Sequence, residues 1–455
     1  MSVPVAASRS AVVGEAATQT STLQDSALEE LTMRRVSLRI LPFMFVLYIF
    51  NFLDRSNVGL AALQMNQDLG FSSEAFGLGA GIFFIGYALF EVPSNLLLVN
   101  VGARKWIARI MISWGIIASA MMFVSTPMQF YVLRFLLGVA EAGFFPAIIY
   151  YLSQWFPAKM RARSMARFMI AIPLAGLIGG PLGGWLLDLD GKAGLQGWQW
   201  LFVVEGIPSV LLGLVTLKFL TEQPRDATWL SAPQRLWLME RLRKDQIEHP
   251  ADHGMPPLRA LLHPLIWLAA IPEMLVTTAG YAYLFWGPLL IRETLKTSNM
   301  MIGLWGAAIA VLSAAAMLLM GAHSDKTRER TGHAAICAAF VSLGCVGAAV
   351  FQNPYAKIAS LILMQVAVIS FLAPFWCIPS LLLSGSSAAV GIALVNAIGN
   401  VGGFIGPTAI GYLRTRTGGD TGAFLGLGAM AATAAVIIFL MGKTPQLRNQ
   451  RESTV

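Results

Sequence analysis

Four ionisable residues lie inside otherwise apolar stretches of the sequence, as two acids and two bases. Asp54 and Arg55 are adjacent in NFLDRSNVGLA, while Arg134 and Glu141 lie seven residues apart in LRFLLGVAEAGFFPA. Seven residues make nearly two turns of an α-helix, so Arg134 and Glu141 are predicted to share one face. We expect the four side chains to meet in one polar cavity, because an isolated charge in an apolar environment is unfavourable.

Such a set could bind an organic anion and a proton together. A guanidinium group holds a carboxylate through paired hydrogen bonds, and a desolvated carboxyl group can take up and release a proton. Protonation of Asp54 or Glu141 would release its arginine partner for a substrate carboxylate. The alternative is a pair of buried salt bridges that only lock two helices together, although buried ion pairs stabilise less than apolar packing.

The elements that must position these residues are membrane-spanning helices. The chain has 455 residues, of which 56% are hydrophobic and 12% charged, with a mean hydropathy of +0.65. Soluble domains carry about 25% charged residues, and one bilayer crossing takes ~20 apolar residues. We therefore predict an all-α membrane protein with twelve transmembrane helices in two six-helix bundles. The predicted spans are 38–60, 76–98, 106–125, 128–151, 164–187, 200–220, 262–291, 300–321, 333–351, 357–383, 388–412 and 422–442.

A long polar interval divides the spans into two sets of six. The predicted organisation is a disordered cytoplasmic tail (1–33), an N-terminal bundle (34–220), a cytoplasmic central loop (221–261), a C-terminal bundle (262–442) and a cytoplasmic tail (443–455). Within the loop, residues 232–247 form either an amphipathic helix at the membrane surface or a plain linker.

The basic residues predict the orientation. Most of the 32 Lys and Arg residues precede the first span, follow spans 2, 4 and 8, or lie in the central loop and C-terminal tail. The other side has only Lys192, Arg292, Lys296, Lys357, Arg414 and Arg416. Basic loops stay on the cytoplasmic side, which predicts a membrane protein with both termini cytoplasmic. The net charge of +8 is therefore explained by the orientation of the protein in the lipid bilayer, and no nucleic-acid partner is needed to account for it. We expect the protein to be a monomer.

Neutral and acidic residues elsewhere in the spans extend the candidate site. Asn396 and Asn400 lie four residues apart, so they share a helix face, and an amide in hydrocarbon needs a partner. The aromatic residues that could flank a ligand, or could equally be packing residues, are Tyr87, Tyr281, Trp286 and Trp376. Three further acids are interpreted as structural: Glu205, Glu273 and Glu91, the last as a latch to a basic loop.

Enzymatic motifs are absent from the sequence. Cys337, Cys345 and Cys377 lie in apolar stretches without CxxC spacing or histidine partners, so the sequence supports neither a disulfide framework nor a metal site. The sequence contains no nucleotide-binding loop, zinc-protease helix or nucleophile elbow. We therefore predict a protein that is not an enzyme and has no cofactor.

Several segments resemble the major facilitator superfamily and, within it, the anion:cation symporter family. That family includes bacterial permeases for tartrate, glucarate, galactonate, phthalate and hydroxyphenylacetate, so the resemblance implies that this protein lies in a bacterial inner membrane. The resemblance extends over about residues 34–445. The segments that carry it are NFLDRSNVGLAAL (51–63), GIFFIGYALFEVPSNLLL (81–98), GARKWIARIM (102–111), RFLLGVAEAGFFPAIIYYLSQWFPAKMRARSMA (134–166) and, more weakly, GAHSDKTRER (321–330).

The resemblance implies a role for each matching residue. Asp54 and Glu141 match the proton-coupling acids, Arg55 and Arg134 match the arginines that bind the substrate anion, and Tyr87, Asn396 and Asn400 match cavity positions. The residues assigned to gating are Glu91, Arg104, Asp325 and Arg328. This chain departs from the family pattern at Asn100, because relatives usually have a charged residue near this position. The inner gate of the first half is therefore expected to be weaker or differently latched.

These observations predict a proton-coupled importer of a small organic anion. The preferred substrate is a tartrate-like hydroxy-dicarboxylate or a sugar acid, carried by alternating access around a site between the two bundles. An aromatic carboxylate is the second candidate for the substrate. The competing functions are a non-transporting sensor on the same scaffold and an exporter or proton-independent facilitator.

Overall fold

The computed structural model describes residues 6–248, 264–382 and 385–444, which form helices and connecting turns without β-strands. The α-helices are α1 (Ala6–Asp68), α2 (Ser73–Val101), α3 (Ala103–Ala120), α4 (Pro127–Glu141), α5 (Phe144–Trp155), α6 (Ala158–Met169), α7 (Ala171–Leu187), α8 (Gly197–Phe219), α9 (Ala232–Glu248), α10 (Pro264–Leu295), α11 (Asn299–Thr327), α12 (Thr331–Val350), α13 (Pro354–Phe375), α14 (Cys377–Leu382), α15 (Gly385–Thr417) and α16 (Thr421–Met441).

The twelve predicted crossings are confirmed. Eleven segments are long and apolar enough to cross a membrane, and the fifth predicted span forms the pair α6 and α7, of which α7 is the shorter apolar helix Ala171–Leu187. The break between these two helices comes just before Pro173, whose ring disfavours continuation of a helix and whose nitrogen cannot donate a hydrogen bond.

The first helix begins earlier than the sequence predicts. Residues 1–33 were expected to be a disordered tail, yet α1 starts at Ala6, and Thr32 and Met33 are buried. The end of this segment, LQDSALEELTM (23–33), contains Leu, Glu, Gln, Ala and Met, which favour helix, and its last turn packs against the bundle. Residues 249–261 of the predicted central loop and 445–455 of the predicted C-terminal tail lie outside the described residues.

The central helix α9 packs against the first half of the chain. The Nη1 atom of Arg35 donates a hydrogen bond to Oε1 of Gln234 at 3.0 Å, and Leu238 is fully buried. We call the end of the bundle that carries α9 the basic face. The end that carries the turns 69–72, 188–196, 296–298 and 418–420 is the closed face.

The two halves meet tightly near the closed face. The Cβ of an alanine at Gly180 would lie 2.3 Å from the carbonyl oxygen of Gly303, and an alanine at Gly77 would lie 2.5 Å from that of Pro407. Closer to the basic face α2 packs less tightly, because beyond Tyr87 only Ser94 and Leu98 of this helix are buried. The structure is therefore closed at one end and opens toward the basic face.

Candidate functional site

The centre of the site is an ion pair between Arg55 of α1 and Glu141 of α4. The Nη2 atom of Arg55 lies 2.7 Å from Oε2 of Glu141, and Oε1 of Glu141 has no hydrogen-bond partner among the described residues. The carboxylate is completely buried, whereas the arginine side chain is 18% exposed. The ion pair joins α1 and α4, the two helices in which the sequence places the four ionisable residues. Its arginine is accessible to a ligand.

A break in the helix positions Glu141. It is the last residue of α4, and Gly143 follows with φ +86°, a left-handed conformation that glycine adopts without strain. A Cβ at Gly143 would lie 2.3 Å from Oγ of Ser94. The Ser94 hydroxyl donates to the carbonyl oxygen of Ala142 at 2.6 Å, so α2 satisfies a backbone group that the break leaves free.

Aromatic and amide groups surround Arg55 from both halves. Its guanidinium lies 5.3 Å from the ring centre of Tyr87 and 5.4 Å from that of Phe83, both on α2. From the second half, the Tyr281 hydroxyl interacts electrostatically with Arg55 and donates to Oδ1 of Asn400 at 3.1 Å. The predicted residues Tyr87, Tyr281 and Asn400 therefore converge on one site, to which the first half contributes charge and the second half neutral polar groups.

Arg134 lies next to this site but does not form an ion pair with Glu141. Its Nε and Nη2 atoms donate to the carbonyl oxygens of Gly79 at 3.3 Å and Ala80 at 3.2 Å. The Phe83 ring lies 4.8 Å from this guanidinium and also contacts Arg55. Arg134 is fully buried, and its Nη1 atom has no partner among the described residues. Arg134 therefore keeps its positive charge beside the site without an acid to neutralise it directly.

Asp54 lies outside this group, which differs from the single four-residue cavity predicted above. Its Oδ2 atom accepts hydrogen bonds from Nε1 of Trp114 on α3 and, at 3.0 Å, from Oγ of Ser209 on α8. Neighbouring residues on a helix point about 100° apart, so Arg55 and Asp54 occupy different faces of α1. Among the described residues Asp54 has no arginine partner, so the predicted exchange of an Asp54–arginine pair for substrate has no basis in this geometry.

The remaining predicted ligand residues are Asn396, Trp286 and Trp376, and the two tryptophans pack against other parts of the protein. Asn396 lies one turn before Asn400 on α15 and is half-buried. Trp286 is fully buried near the closed face, where its Nε1 donates to the carbonyl oxygen of Pro407 at 3.1 Å, so it is a packing residue. Trp376 packs against Phe375 with ring centres 5.7 Å apart.

Three of the predicted gating residues lie at the basic face. Arg104 interacts with Glu222, which sequence reasoning missed: its Nε lies 3.7 Å from one carboxylate oxygen, and its backbone N–H donates to the other at 3.3 Å. Asp325 pairs with Arg330 at 2.6 Å, and Arg328 ends α11 in a left-handed conformation.

The predicted latch at Glu91 is not found among the side chains that the structure describes, which do not include those of Lys159, Arg163 and Arg167. In the described part of the chain Glu91 makes no ion pair with a basic loop, and the cation in its electrostatic surroundings is Arg55. Glu91 is close to Arg55 because it follows Tyr87 by one helical turn on α2, a spacing that gives both residues the same face.

Sequence reasoning also missed Asn57 and Ser209 near Asp54, and it interpreted the neighbouring Glu205 as structural. Asn57 and Glu205 are both buried, and the Glu205 carboxylate interacts electrostatically with Asp54. The available signal was spacing, because Asn57 follows Asp54 by three residues and Ser209 follows Glu205 by four. Each pair therefore shares a helix face.

Comparison with known proteins identifies the family. The family model of the Major Facilitator Superfamily matches residues 44–407 and 291–455. The chain is 44% identical to a putative tartrate transporter of Agrobacterium vitis over 426 residues, 92% of this chain and 96% of the relative. It is 39% identical to a quinolone resistance transporter of Acinetobacter baumannii over 427 residues, 94% and 98% of the two chains.

A solved structure shares the fold. It is a bacterial homolog to the human lysosomal transporter Spinster, in an inward-facing and unoccupied conformation, with a TM-score of 0.70 and 18% identity over 91% of this chain and 97% of that one. The resemblance expected from the sequence motifs is confirmed, and this chain belongs to the Major Facilitator Superfamily as a multi-pass membrane transporter.

Proposed function

We propose that this transporter imports a small organic anion together with protons. The observation that carries the proposal is the 2.7 Å contact between a partly exposed Arg55 and a fully buried Glu141. A buried carboxylate next to an accessible guanidinium provides one group for a proton and one for an anion.

Coupling follows from competition for the same guanidinium. When a proton binds to a carboxylate oxygen of Glu141, that group loses its charge and its charge-assisted hydrogen bond to Arg55 weakens. A substrate carboxylate then takes the place of Glu141 at Arg55. Because proton binding favours anion binding, the anion favours proton binding by the same factor.

The preferred substrate is a hydroxylated carboxylic acid. Tyr281 and Asn400 of the second half supply a hydroxyl and an amide beside Arg55, and these groups suit a tartrate-like hydroxy-dicarboxylate or a sugar acid. A relative over almost the whole chain is named a putative tartrate transporter. The aromatic-carboxylate alternative depended partly on Trp286, whose indole is engaged with Pro407, so this alternative has less support.

The orientation remains that predicted from the basic residues. With both termini in the cytoplasm of a bacterium, the closed face is periplasmic and the opening at the basic face leads to the cytoplasm. The structure then represents the state that releases imported substrate. The tight glycine contacts near Gly180 and Gly303 support this assignment because they seal the opposite end.

The test is uptake into proteoliposomes. Labelled L-tartrate and a panel of competing sugar acids and aromatic acids are supplied with and without an inwardly directed proton gradient. We expect accumulation that requires the gradient and is lost with a protonophore. Equilibration that is insensitive to the gradient would indicate a facilitator. Gradient-driven efflux would indicate an exporter, a direction suggested by the name of the Acinetobacter relative.

A further inference from the structure

The closed face contains a cavity that the Arg55–Glu141 exchange does not use. Its volume is about 320 Å³, and both halves of the protein contribute to it. We call it the closed-face cavity, and its polar lining is Asn66 and Gln67 of α1, Ser73 of α2, Arg292 and Glu293 of α10 and Arg414 of α15. We propose that this cavity binds the substrate anion before the anion reaches Arg55, with Arg292 as the residue that holds a carboxylate. The inference rests on the proposed function, because it concerns the same hydroxylated organic anion.

The closed-face cavity is separate from the site at Arg55. Leu63, which also lines the cavity, follows Arg55 by eight residues on α1, and Arg292 follows Tyr281 by eleven on α10. At a rise of 1.5 Å per residue, these intervals correspond to about 12 Å and about 16 Å. The fully buried Trp286 lies between Tyr281 and Arg292 along α10. An anion in the closed-face cavity would therefore not touch the central ion pair.

Arg292 has no acid partner among the described residues. Its Nη1 atom donates to the backbone carbonyl oxygen of Leu63 at 3.0 Å and lies 3.5 Å from Oδ1 of Asn299. Both partners are neutral, and a guanidinium binds a carboxylate more strongly than a neutral acceptor because both groups are charged. A substrate carboxylate can therefore replace these partners at the half-buried Arg292.

The acids near the cavity are engaged by Arg414. Both carboxylate oxygens of Glu293 lie 2.8 Å from Nη2 of Arg414. Asp420, which does not line the cavity, has its Oδ1 atom 3.1 Å from Nε of the same arginine. The lining itself carries two arginines and one carboxylate. This excess of one positive charge, which belongs to Arg292, favours an anion as the occupant.

The neutral polar groups of the lining suit a hydroxylated anion. Oδ1 of Asn66 is buried without a partner among the described residues. Buried polar atoms are normally satisfied, so this amide oxygen calls for an explanation such as a ligand. An amide oxygen accepts from a hydroxyl group, and a tartrate-like anion with its carboxylate at Arg292 could direct a hydroxyl to Asn66. The volume of the cavity is at the lower end for ligand pockets, as expected for a small anion.

Occupancy of the cavity would also weaken the closed face. The hydrogen bond from Arg292 to Leu63 joins α10 of the second half to α1 of the first half. A carboxylate that takes the place of Leu63 removes this contact, and the anion then favours the open state of this face if it binds that state more tightly. In the proposed orientation the closed face is periplasmic, which is the side from which imported substrate arrives.

The test measures whether an anion shields the cavity. Gln67 lines it and is exposed, so the reaction of Gln67→Cys with N-ethylmaleimide is followed in purified protein in detergent at constant ionic strength. The probe is L-tartrate, and its control is the uncharged polyol L-threitol, which has hydroxymethyl groups in place of the carboxylates. Protein without Gln67→Cys gives the background from the native cysteines. Gln67→Cys is combined with Arg292→Gln, with Arg55→Gln and, as a matched loss of an exposed positive charge at the closed face, with Lys192→Gln.

We expect L-tartrate to lower the labelling rate by half or more and L-threitol to leave it unchanged. The protection should be lost in Arg292→Gln and retained in Arg55→Gln and Lys192→Gln. Each variant is compared with and without L-tartrate, because loss of the Leu63 contact also changes the basal rate.

Three results would overturn the proposal: no protection by L-tartrate, equal protection by L-threitol, or protection that depends on Arg55 and not on Arg292. If Arg292→Gln does not fold, Arg292→Lys replaces it. Weaker protection is then expected, because an ammonium lacks the guanidinium fork, and undiminished protection would count against Arg292.

The closed-face site and the proposed function can fail separately. Protection that requires Arg292, in a protein with no gradient-driven uptake, would leave the closed-face site standing and reject symport. Gradient-driven tartrate uptake by a protein in which L-tartrate does not protect Gln67→Cys would reject only the closed-face site.

Discussion

The two six-helix halves share a fold but differ in the chemistry of their cores. The first half buries Asp54, Glu141 and Glu205 together with Arg134 and the partly exposed Arg55. At the same site the second half contributes a phenol and an amide, which are hydrogen-bonded to each other, and in its described transmembrane helices the one buried charged side chain is Glu273 on α10, whose charge acts on Tyr281. Charges that stay within one rigid half keep their partners when the halves rock, while the neutral groups opposite them approach and recede. The difference therefore separates ion coupling from substrate selection.

The largest effect is expected when Glu141, the acid that pairs with Arg55, is neutralised. Glu141→Gln should abolish proton-driven uptake, because the variant cannot take up the proton that releases Arg55. Exchange of labelled for unlabelled substrate should survive, since the guanidinium remains. Both are measured in proteoliposomes, with Glu240→Gln as the exposed control. Undiminished proton-driven accumulation by Glu141→Gln would show that the acid is structural.

Asp54→Asn should also abolish gradient-driven uptake, although Asp54 lies outside the substrate cavity. The amide keeps an oxygen that can accept from Trp114 and Ser209 but cannot bind a proton or neutralise a cation. We expect the substrate affinity, measured by binding at fixed pH, to change less than uptake does. A loss of affinity as large as that in an Arg55 variant would place Asp54 functionally in the substrate site.

The buried arginine of the first half is the next target. Arg134→Lys should lower substrate affinity about 10-fold or more, because a single ammonium cannot reproduce the fork that holds Gly79 and Ala80, and hydrogen bonds of charged groups contribute about 1.5–3 kcal/mol each. Binding is measured by competition with labelled substrate. Wild-type affinity in a folded Arg134→Lys protein would show that Arg134 is not one of the residues that attract the substrate anion.

The contact between the halves can be weakened without changing any polar group. A Cβ at Gly303 would lie 2.1 Å from the carbonyl oxygen of Gly180, and such overpacking typically costs about 1–3 kcal/mol. Gly303→Ala should open the closed face, which is measured as faster thiol labelling of a cysteine introduced at Ala62. Gly306→Ala on the same helix has nothing within 4 Å and is the control. Equal labelling of the two variants would contradict the proposed seal.

The smallest effect is expected from a substitution in the second half, at Tyr281. Tyr281→Phe removes the hydroxyl that donates to Asn400 at 3.1 Å, and a neutral hydrogen bond contributes about 0.5–1.5 kcal/mol. Affinity for tartrate should fall about 2- to 10-fold, with little change for succinate, which has no hydroxyl groups, and no change in proton dependence. A loss of proton coupling in Tyr281→Phe would contradict the division between the halves.

Much of the site could be predicted because some of its determinants are local. The spacing of Arg134 and Glu141 and the matched motifs led to the acid and the arginine that the structure places together across α1 and α4. The same reasoning failed for Asp54, since a dipeptide in the sequence gives no information on which helix each side chain faces. Glu205 was interpreted as structural because its partners lie more than a hundred residues away in the chain.

The sequence by itself determined the twelve crossings, the family and the identity of the ionisable residues in the membrane. Hydropathy and motif matches are properties of neighbouring residues, so they can be read without a fold. Only the tertiary structure decided which charges are partners. Arg55 meets Glu141 because α4 breaks at Gly143 against α2, and Asp54 meets Ser209 because α8 packs on the other face of α1. Such choices depend on how helices far apart in sequence pack, and no local pattern encodes that packing.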